Sequence, residues 1–195
     1  MPRSRLEELV TLAEEHDGLF TSEQARDVGF TDSVLVRLAQ RGRIERTARG
    51  VYRIPYVPLN RLSQYREVVL WARSHRGPDN VALSHETALS VYGISDANPS
   101  AIHLTVPNSA RLRRERPKAV ILHRADIAAD ETALIEGLPI TSIARTISDL
   151  LETGGRLDLI NQAIADARRE GYISPSESQR LRSQLKRHVE GLRSS

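Results

Sequence analysis

Apolar positions recur at helical spacing through the first forty residues and change to strict alternation just after them. In "SRLEELVTLAEEHDG", Leu6, Leu9, Val10 and Leu12 predict an amphipathic first helix with its acids toward solvent, closed at Gly18. In "TSEQARDVGF", Thr21 with Gln24 three residues later is a capping box that opens a second short helix; Ala25 is small enough for close helix approach, and Gly29 supplies a turn. Thr31 is placed to cap a third helix, "DSVLVRLAQRG". Val34, Leu35 and Leu38 form its buried face and Ser33, Arg37, Gln40 and Arg41 its outer one. Two short helices about a glycine-containing turn make a helix-turn-helix. Ile44, Val51 and Ile54 then alternate with polar residues, which predicts a hairpin closed near Arg49-Gly50 and so a winged module.

Pro55 and Pro58 interrupt any further period, so a linker is expected at residues 55–60, dividing the chain into domains 1–56 and 57–195. "RLSQYREVVLWARSHRG" reads as a helix with Leu62, Tyr65, Val69 and Ala72 on one stripe, and "NVALSHETALSVYGI" as another, buried helix. "SAIHLTVP" and "PKAVILHRADI" read as strands, and "EGLPITS" as a short strand running to Ile140. The next helix, capped near Thr141 or Ser142, buries Ile143, Ile147, Leu150 and Leu151. Two helices finish the chain. The first turns Leu159, Ile160, Ala163, Ile164 and Ala167 inward, and the last opens with Ser174, Pro175 and Glu177 as N-cap, first residue and capping-box partner. The expected class is α+β: a winged helix-turn-helix followed by a mixed α/β domain that ends in helices.

Charge sharpens this picture. Residues 1–32 hold Arg3, Arg5 and Arg26 against eight acids, a net charge of −5; residues 33–58 hold Arg37, Arg41, Arg43, Arg46, Arg49 and Arg53 against Glu45 alone, a net charge of +5. Such separation orients a module toward a polyanion, where an even mixture would not. Ser33, Arg37, Gln40 and Arg41 are candidates to enter the major groove; Arg43, Arg46, Arg49 and Arg53 are candidates for phosphates or an adjacent minor groove. A second basic run, "NSARLRRERPK", sets Arg111, Arg113, Arg114, Arg116 and Lys118 against Glu115. It reads as a second nucleic-acid contact, a partner contact or a solvated hairpin loop. Arg182, Lys186 and Arg187 make the last helix basic, for an acidic partner or DNA.

The absence of cysteine removes disulfides, thiolate metal sites and cysteine nucleophiles, and fits a reducing compartment. No run approaches the roughly 18 apolar residues of a membrane span, and no apolar signal run follows the start, so a cytoplasmic location is expected. Enzyme chemistry finds little support. His85, His103 and His123 lie on separate predicted elements, outside any H-x-x-x-H or H-E-x-x-H pattern, and read singly as polar residues satisfied within the fold. Ser84, His85 and Glu86 are neighbours on one helix and point about 100° apart, so they form no catalytic relay. "HRAD" at His123 to Asp126 lacks the downstream Asn of a kinase loop, and the chain carries no glycine-rich phosphate loop or dinucleotide fingerprint. No metal and no cofactor are expected.

The succession "TSEQARDVGF", "RGRIERTARGVYRI", "ALSHETALSVYGI", "IHLTVP", "ILHRADI" and "LPITSIARTISDLL" resembles the AbiEi family of bacterial antitoxins, particularly its mycobacterial branch, over roughly residues 4–170. The resemblance implies a two-domain antitoxin encoded beside a nucleotidyltransferase-like toxin. It implies that the C-terminal domain neutralises the toxin while the N-terminal domain represses the operon by binding inverted repeats, two protomers to an operator. The family's DNA-binding positions fall here on Arg37, Arg41, Arg43, Arg46, Arg49 and Arg53. Two other readings stay open: a winged-helix repressor that responds to a small ligand, and an enzyme that modifies the toxin covalently through a site around His85, His103, Arg124 and Asp126.

Overall fold

The apolar spacing of the first fifty residues closes around a small antiparallel sheet in the computed structural model, which describes residues 5–14, 16–74, 77–112 and 115–193. Helix α1 (Arg5–Glu14) turns Leu9 and Ala13 inward, whereas Leu6, expected on the same stripe, is exposed. Strand β1 (Leu19–Thr21) leads directly into α2 (Ser22–Asp27). The Gln24 amide donates to the Thr21 hydroxyl at 3.2 Å and the Thr21 amide to Gln24 Oε1 at 2.8 Å, the reciprocal capping box that the sequence predicts. Helix α3 (Asp32–Gln40) begins after Thr31, but the Thr31 hydroxyl pairs with that of Ser33 at 3.0 Å instead of capping the backbone. Strands β2 (Glu45–Ala48) and β3 (Val51–Arg53) form the wing, turned at Gly50 with φ 82, a conformation glycine reaches without steric cost.

The sheet order is β1-β3-β2, antiparallel throughout. A three-residue strand is too short to show alternation, which is why β1 is absent from the sequence reading. Its role is to carry Phe20 opposite Tyr52, where the rings stack with centroids 5.7 Å apart. Together with Leu9, Ala13, Ala25, Leu35, Ile44 and Ile54 they make a single apolar core.

Helix α4 (Ser63–Arg73) buries Val68, Leu70 and Trp71 as well as the expected Tyr65, Val69 and Ala72, and it packs against β1, β2 and β3. Arg66 Nε donates to Asp17 Oδ2 at 2.8 Å, tying α4 to the turn before β1. Contacts accordingly group Met1–Val81 with Ser109–Lys118 in one compact unit, and Ala82–Asn108 with Ala119–Ser195 in another. The structural division therefore falls after α4, not at residues 55–60, because a helix apolar on most of its circumference needs cover and the small sheet supplies it.

The second unit is built on a five-stranded mixed sheet of order β6-β5-β4-β8-β7. Its strands are β4 (Ala82–Leu83), β5 (Ile102–Val106), β6 (Val120–Arg124), β7 (Thr132–Ile135) and β8 (Leu138–Thr141). Three sequence expectations are corrected here. The stretch expected to be one helix from Asn80 is a strand followed by α5 (His85–Tyr92), since a short apolar run is equally a buried strand or a helix turn. Strands β5 and β6 pair in parallel, which a hairpin cannot join, so the connection between them is a crossover. Strand β7, unpredicted, pairs antiparallel with β8. Helices α6 (Ile143–Glu152), α7 (Leu157–Arg169) and α8 (Pro175–Arg193) pack on one another, and α6 and α7 bury the residues their periodicity predicts. Ser174 and Glu177 form the expected capping box of α8, with bonds of 2.9 and 3.2 Å. The fold is α+β, a winged helix-turn-helix followed by a mixed α/β unit ending in helices.

Candidate functional site

On α3, Leu35 is fully buried while Ser33, Arg37, Gln40 and the adjoining Arg41 are exposed, at spacings that place them on one side of the helix. Arg43, Arg46 and Arg49 are exposed on the approach to the wing, on β2 and at its tip. This leaves a helix and an adjacent ribbon presenting amide, hydroxyl and guanidinium donors, the groups that read base edges and hold phosphates. Arg53 differs from the others. Its Nε and Nη2 donate to Glu45 Oε2 at 3.0 and 2.8 Å across the β2–β3 pair, and its side chain is only 16% exposed. Glu67 of α4 also faces it: burial pushes the Glu67 carboxyl up, and the Thr47 hydrogen bond and the Arg53 charge draw it back. Arg53 therefore braces the wing and has little free surface.

The other basic candidates are scattered. Arg111 and Arg116 are exposed in the crossover, and Arg113 and Arg114 lie outside the described residues. Arg182, Lys186 and Arg187 are exposed on α8, of which Ser178 and Leu181 are buried and Gln184, Leu185, His188 and Val189 half-buried. Beside α8, a cleft of about 930 Å3 is lined by Glu131, Arg145, Asp149, Tyr172 and Arg187 among others. Arg145 dominates its floor. It donates to Asp149 Oδ1 and to Glu131 Oε2, each at 2.7 Å, and to the Asp126 carbonyl at 3.2 Å. Burial by itself lowers the Arg145 pKa, but the two carboxylates outweigh it and hold the group above the ordinary arginine value. Burial pushes the Asp149 carboxyl up and Arg145 recovers only part of that, and Asp149 Oδ2 is buried with no hydrogen-bond partner.

The three histidines that spacing left separate are brought together by the second sheet. In the parallel pairing of β5 and β6, His103 lies opposite Ile121 and His123 opposite Thr105, so the two histidines share one face two residues apart. His85, the first residue of α5, reaches the same face. His103 Nδ1 and His123 Nε2 are 2.9 Å apart, and the His85 ring lies against that of His123 with centroids 3.6 Å apart. His85 Nδ1 bonds the Ser84 hydroxyl at 2.9 Å, and Thr105 donates to that hydroxyl at 2.8 Å. His85 is 3% exposed, its backbone φ is 53, and its Nε2 is buried with no hydrogen-bond partner. A non-glycine residue held in the left-handed region costs on the order of 1 kcal/mol or more and persists where surrounding structure enforces it. Burial lowers all three pKa values, that of His85 to about 3 with the neighbouring His123, His103 and Arg145 adding to the fall, and that of His123 to about 4. Arg124 and Asp126 are engaged elsewhere, with Asn108. No linear motif announces this cluster, because parallel strand pairing and a helix start assemble it from three distant segments.

A winged helix-turn-helix joined to an α/β unit defines a DNA-binding regulator with an appended effector domain. The family model described as "Transcriptional regulator, AbiEi antitoxin" matches residues 7–55, and that described as "AbiEi antitoxin C-terminal domain" matches residues 80–185. The chain belongs to the AbiEi antitoxin family, whose models describe antitoxins and transcriptional regulators. Among solved structures it is similar to the RV2827C protein from Mycobacterium tuberculosis, at 17% identity and a TM-score of 0.60, over 94% of this chain and 72% of that one; the likeness is one of fold. No match is found among curated proteins. Among the described residues, no helix is long and apolar enough to cross a membrane.

Proposed function

We propose that this antitoxin represses its own operon by binding inverted repeats in the promoter through residues 1–56, two protomers to an operator. Its second, α/β unit neutralises a cognate nucleotidyltransferase-like toxin in the cytoplasm. The observation that carries the DNA reading is the exposed set on α3 and the wing, Ser33, Arg37, Gln40, Arg41, Arg43, Arg46 and Arg49, opposite the buried Leu35. Ser33, Arg37, Gln40 and Arg41 read base edges, and Arg43, Arg46 and Arg49 hold phosphates. Arg53, committed to Glu45, supports the wing from within. Arg111 and Arg116 in the crossover and Arg182, Lys186 and Arg187 on α8 are the exposed basic groups open to a partner or to a second DNA contact. Arg113 and Arg114 belong to the same basic run by sequence.

The test uses the full chain and separates the two activities. Arg37→Ala with Arg41→Ala abolishes the shift of a promoter fragment in a gel titration, yet still rescues growth when the neighbouring gene is induced. Loss of both activities, or retention of DNA binding, contradicts the division of labour. An absence of toxicity in the neighbouring gene contradicts the toxin assignment.

A further inference from the structure

We propose that His85, His103 and His123 form a binding site for one divalent transition-metal ion of the zinc type, with its remaining coordination position open to water or an anionic oxygen. Each residue offers one nitrogen, and the three nitrogens lie within 4.8 Å of one another. Three neutral imidazoles suit Zn2+ and its first-row neighbours, and exclude Mg2+ and Ca2+, which require oxygen ligands. With bonds of about 2.0 to 2.1 Å, a tetrahedral ion sets its ligand nitrogens about 3.4 Å apart, so the spacing closes on an ion by shifts of an ångström or so.

Two further features point to an ion. The first is the buried His85 Nε2, which has no partner and is otherwise a polar atom desolvated for no return. The second is the support behind it: Ser84 bonds Nδ1 of the same ring and Thr105 bonds Ser84, the kind of outer shell that orients a ligating imidazole. With Nδ1–H donated to the Ser84 hydroxyl, Nε2 carries the free lone pair of the ring. Arg145 is a fixed cation felt at His85, and its charge is already offset by Glu131 and Asp149. His103 and His123 are only partly buried, which gives the ion a way in.

The His85 and His123 rings now lie nearly parallel, 16° apart, whereas an ion sits in the plane of each ring that binds it. Loading therefore turns at least one ring out of the stack. The proton shared between His103 Nδ1 and His123 Nε2 moves to the outer nitrogen of its own ring, so coordination needs no net deprotonation.

The experiment is equilibrium dialysis of the full-length protein against Zn2+ with elemental analysis, paired with Co2+ titration followed by visible absorption. His103→Gln and His123→Gln, singly and together, serve as variants because both residues are less buried than His85; circular dichroism and the promoter gel shift report their folding. We expect one ion per chain, intense four-coordinate Co2+ bands, and an affinity lower by at least tenfold in each single variant. The double variant keeps His16, His75, His85 and His188, so equal Zn2+ uptake by it and the natural protein would mean adventitious binding and overturn the proposal. No stoichiometric uptake by the natural protein overturns it as well. A Co2+ spectrum unchanged by either substitution does the same.

Discussion

Replacing Arg145 by Gln exposes the electrostatic design of the α6 start. Asp149 is 7% exposed; its Oδ1 is held by Arg145, and its Oδ2 is buried with no hydrogen-bond partner. Removing one partner of a buried pair leaves an uncompensated charge and typically costs about 3 to 5 kcal/mol. The Glu131 arm adds little, because that carboxylate is more than a third exposed and solvent screens it. We therefore expect Arg145→Gln to lower unfolding free energy by about 3 kcal/mol at pH 7.

The pH dependence distinguishes this cause from lost packing. The folded-state pKa of Asp149 is raised by burial, so its contribution is fully present below the unfolded value near 3.9 and is lost as pH rises through the folded pKa. Without Arg145 that folded pKa climbs further, and the window of partial protonation widens upward. The deficit of the variant relative to the natural protein thus shrinks on going from pH 7 to pH 5, at about 1.4 kcal/mol for each unit by which the folded pKa exceeds the pH. Adding Asp149→Asn should restore most of the stability at pH 7. Urea denaturation of the three proteins at both pH values is the assay. A deficit below about 1 kcal/mol, a deficit equal at both pH values, or no recovery with Asp149→Asn refutes the buried-carboxylate reasoning.

Other expectations concern the first unit. Arg46→Ala with Arg49→Ala reduces the slope of log affinity against log salt by about 1 to 2, since each phosphate contact contributes roughly 0.9; an unchanged slope in gel-shift titrations at several salt concentrations removes the wing from the interface. Leu35→Ala empties a fully buried position under α3 and costs about 2 to 5 kcal/mol in chemical denaturation, with operator affinity falling only as far as folding does. Thr21→Ala removes half of a reciprocal capping box and costs about 1 kcal/mol, read as a lowered melting temperature with the fold retained by circular dichroism. Gly18→Ala would bring a new Cβ to 2.6 Å from Val57 Cβ at a positive φ, so it destabilises more than Thr21→Ala does.

Local rules determined much of this protein. The capping boxes at Thr21 and Ser174 depend on residues three apart, and the buried faces of α3, α6 and α7 on a 3.6-residue period, so both are legible in the chain itself. The exposure of Ser33, Arg37 and Gln40 follows from the same period, given only that Leu35 must be buried. What depends on partners distant in sequence was not legible. Short strands such as β1 and β4 have no period of their own and exist because strands distant in sequence pair with them. The parallel sense of β5 and β6 is set by the crossover and not by either strand's composition. The register of that pair puts His103 and His123 on one face, and the left-handed start of α5 brings His85 against them, so the cluster belongs entirely to the tertiary structure. Arg53 makes the same point in reverse: its charge is evident in the sequence, but only the pairing of β2 with β3 sets it against Glu45 and takes it away from solvent.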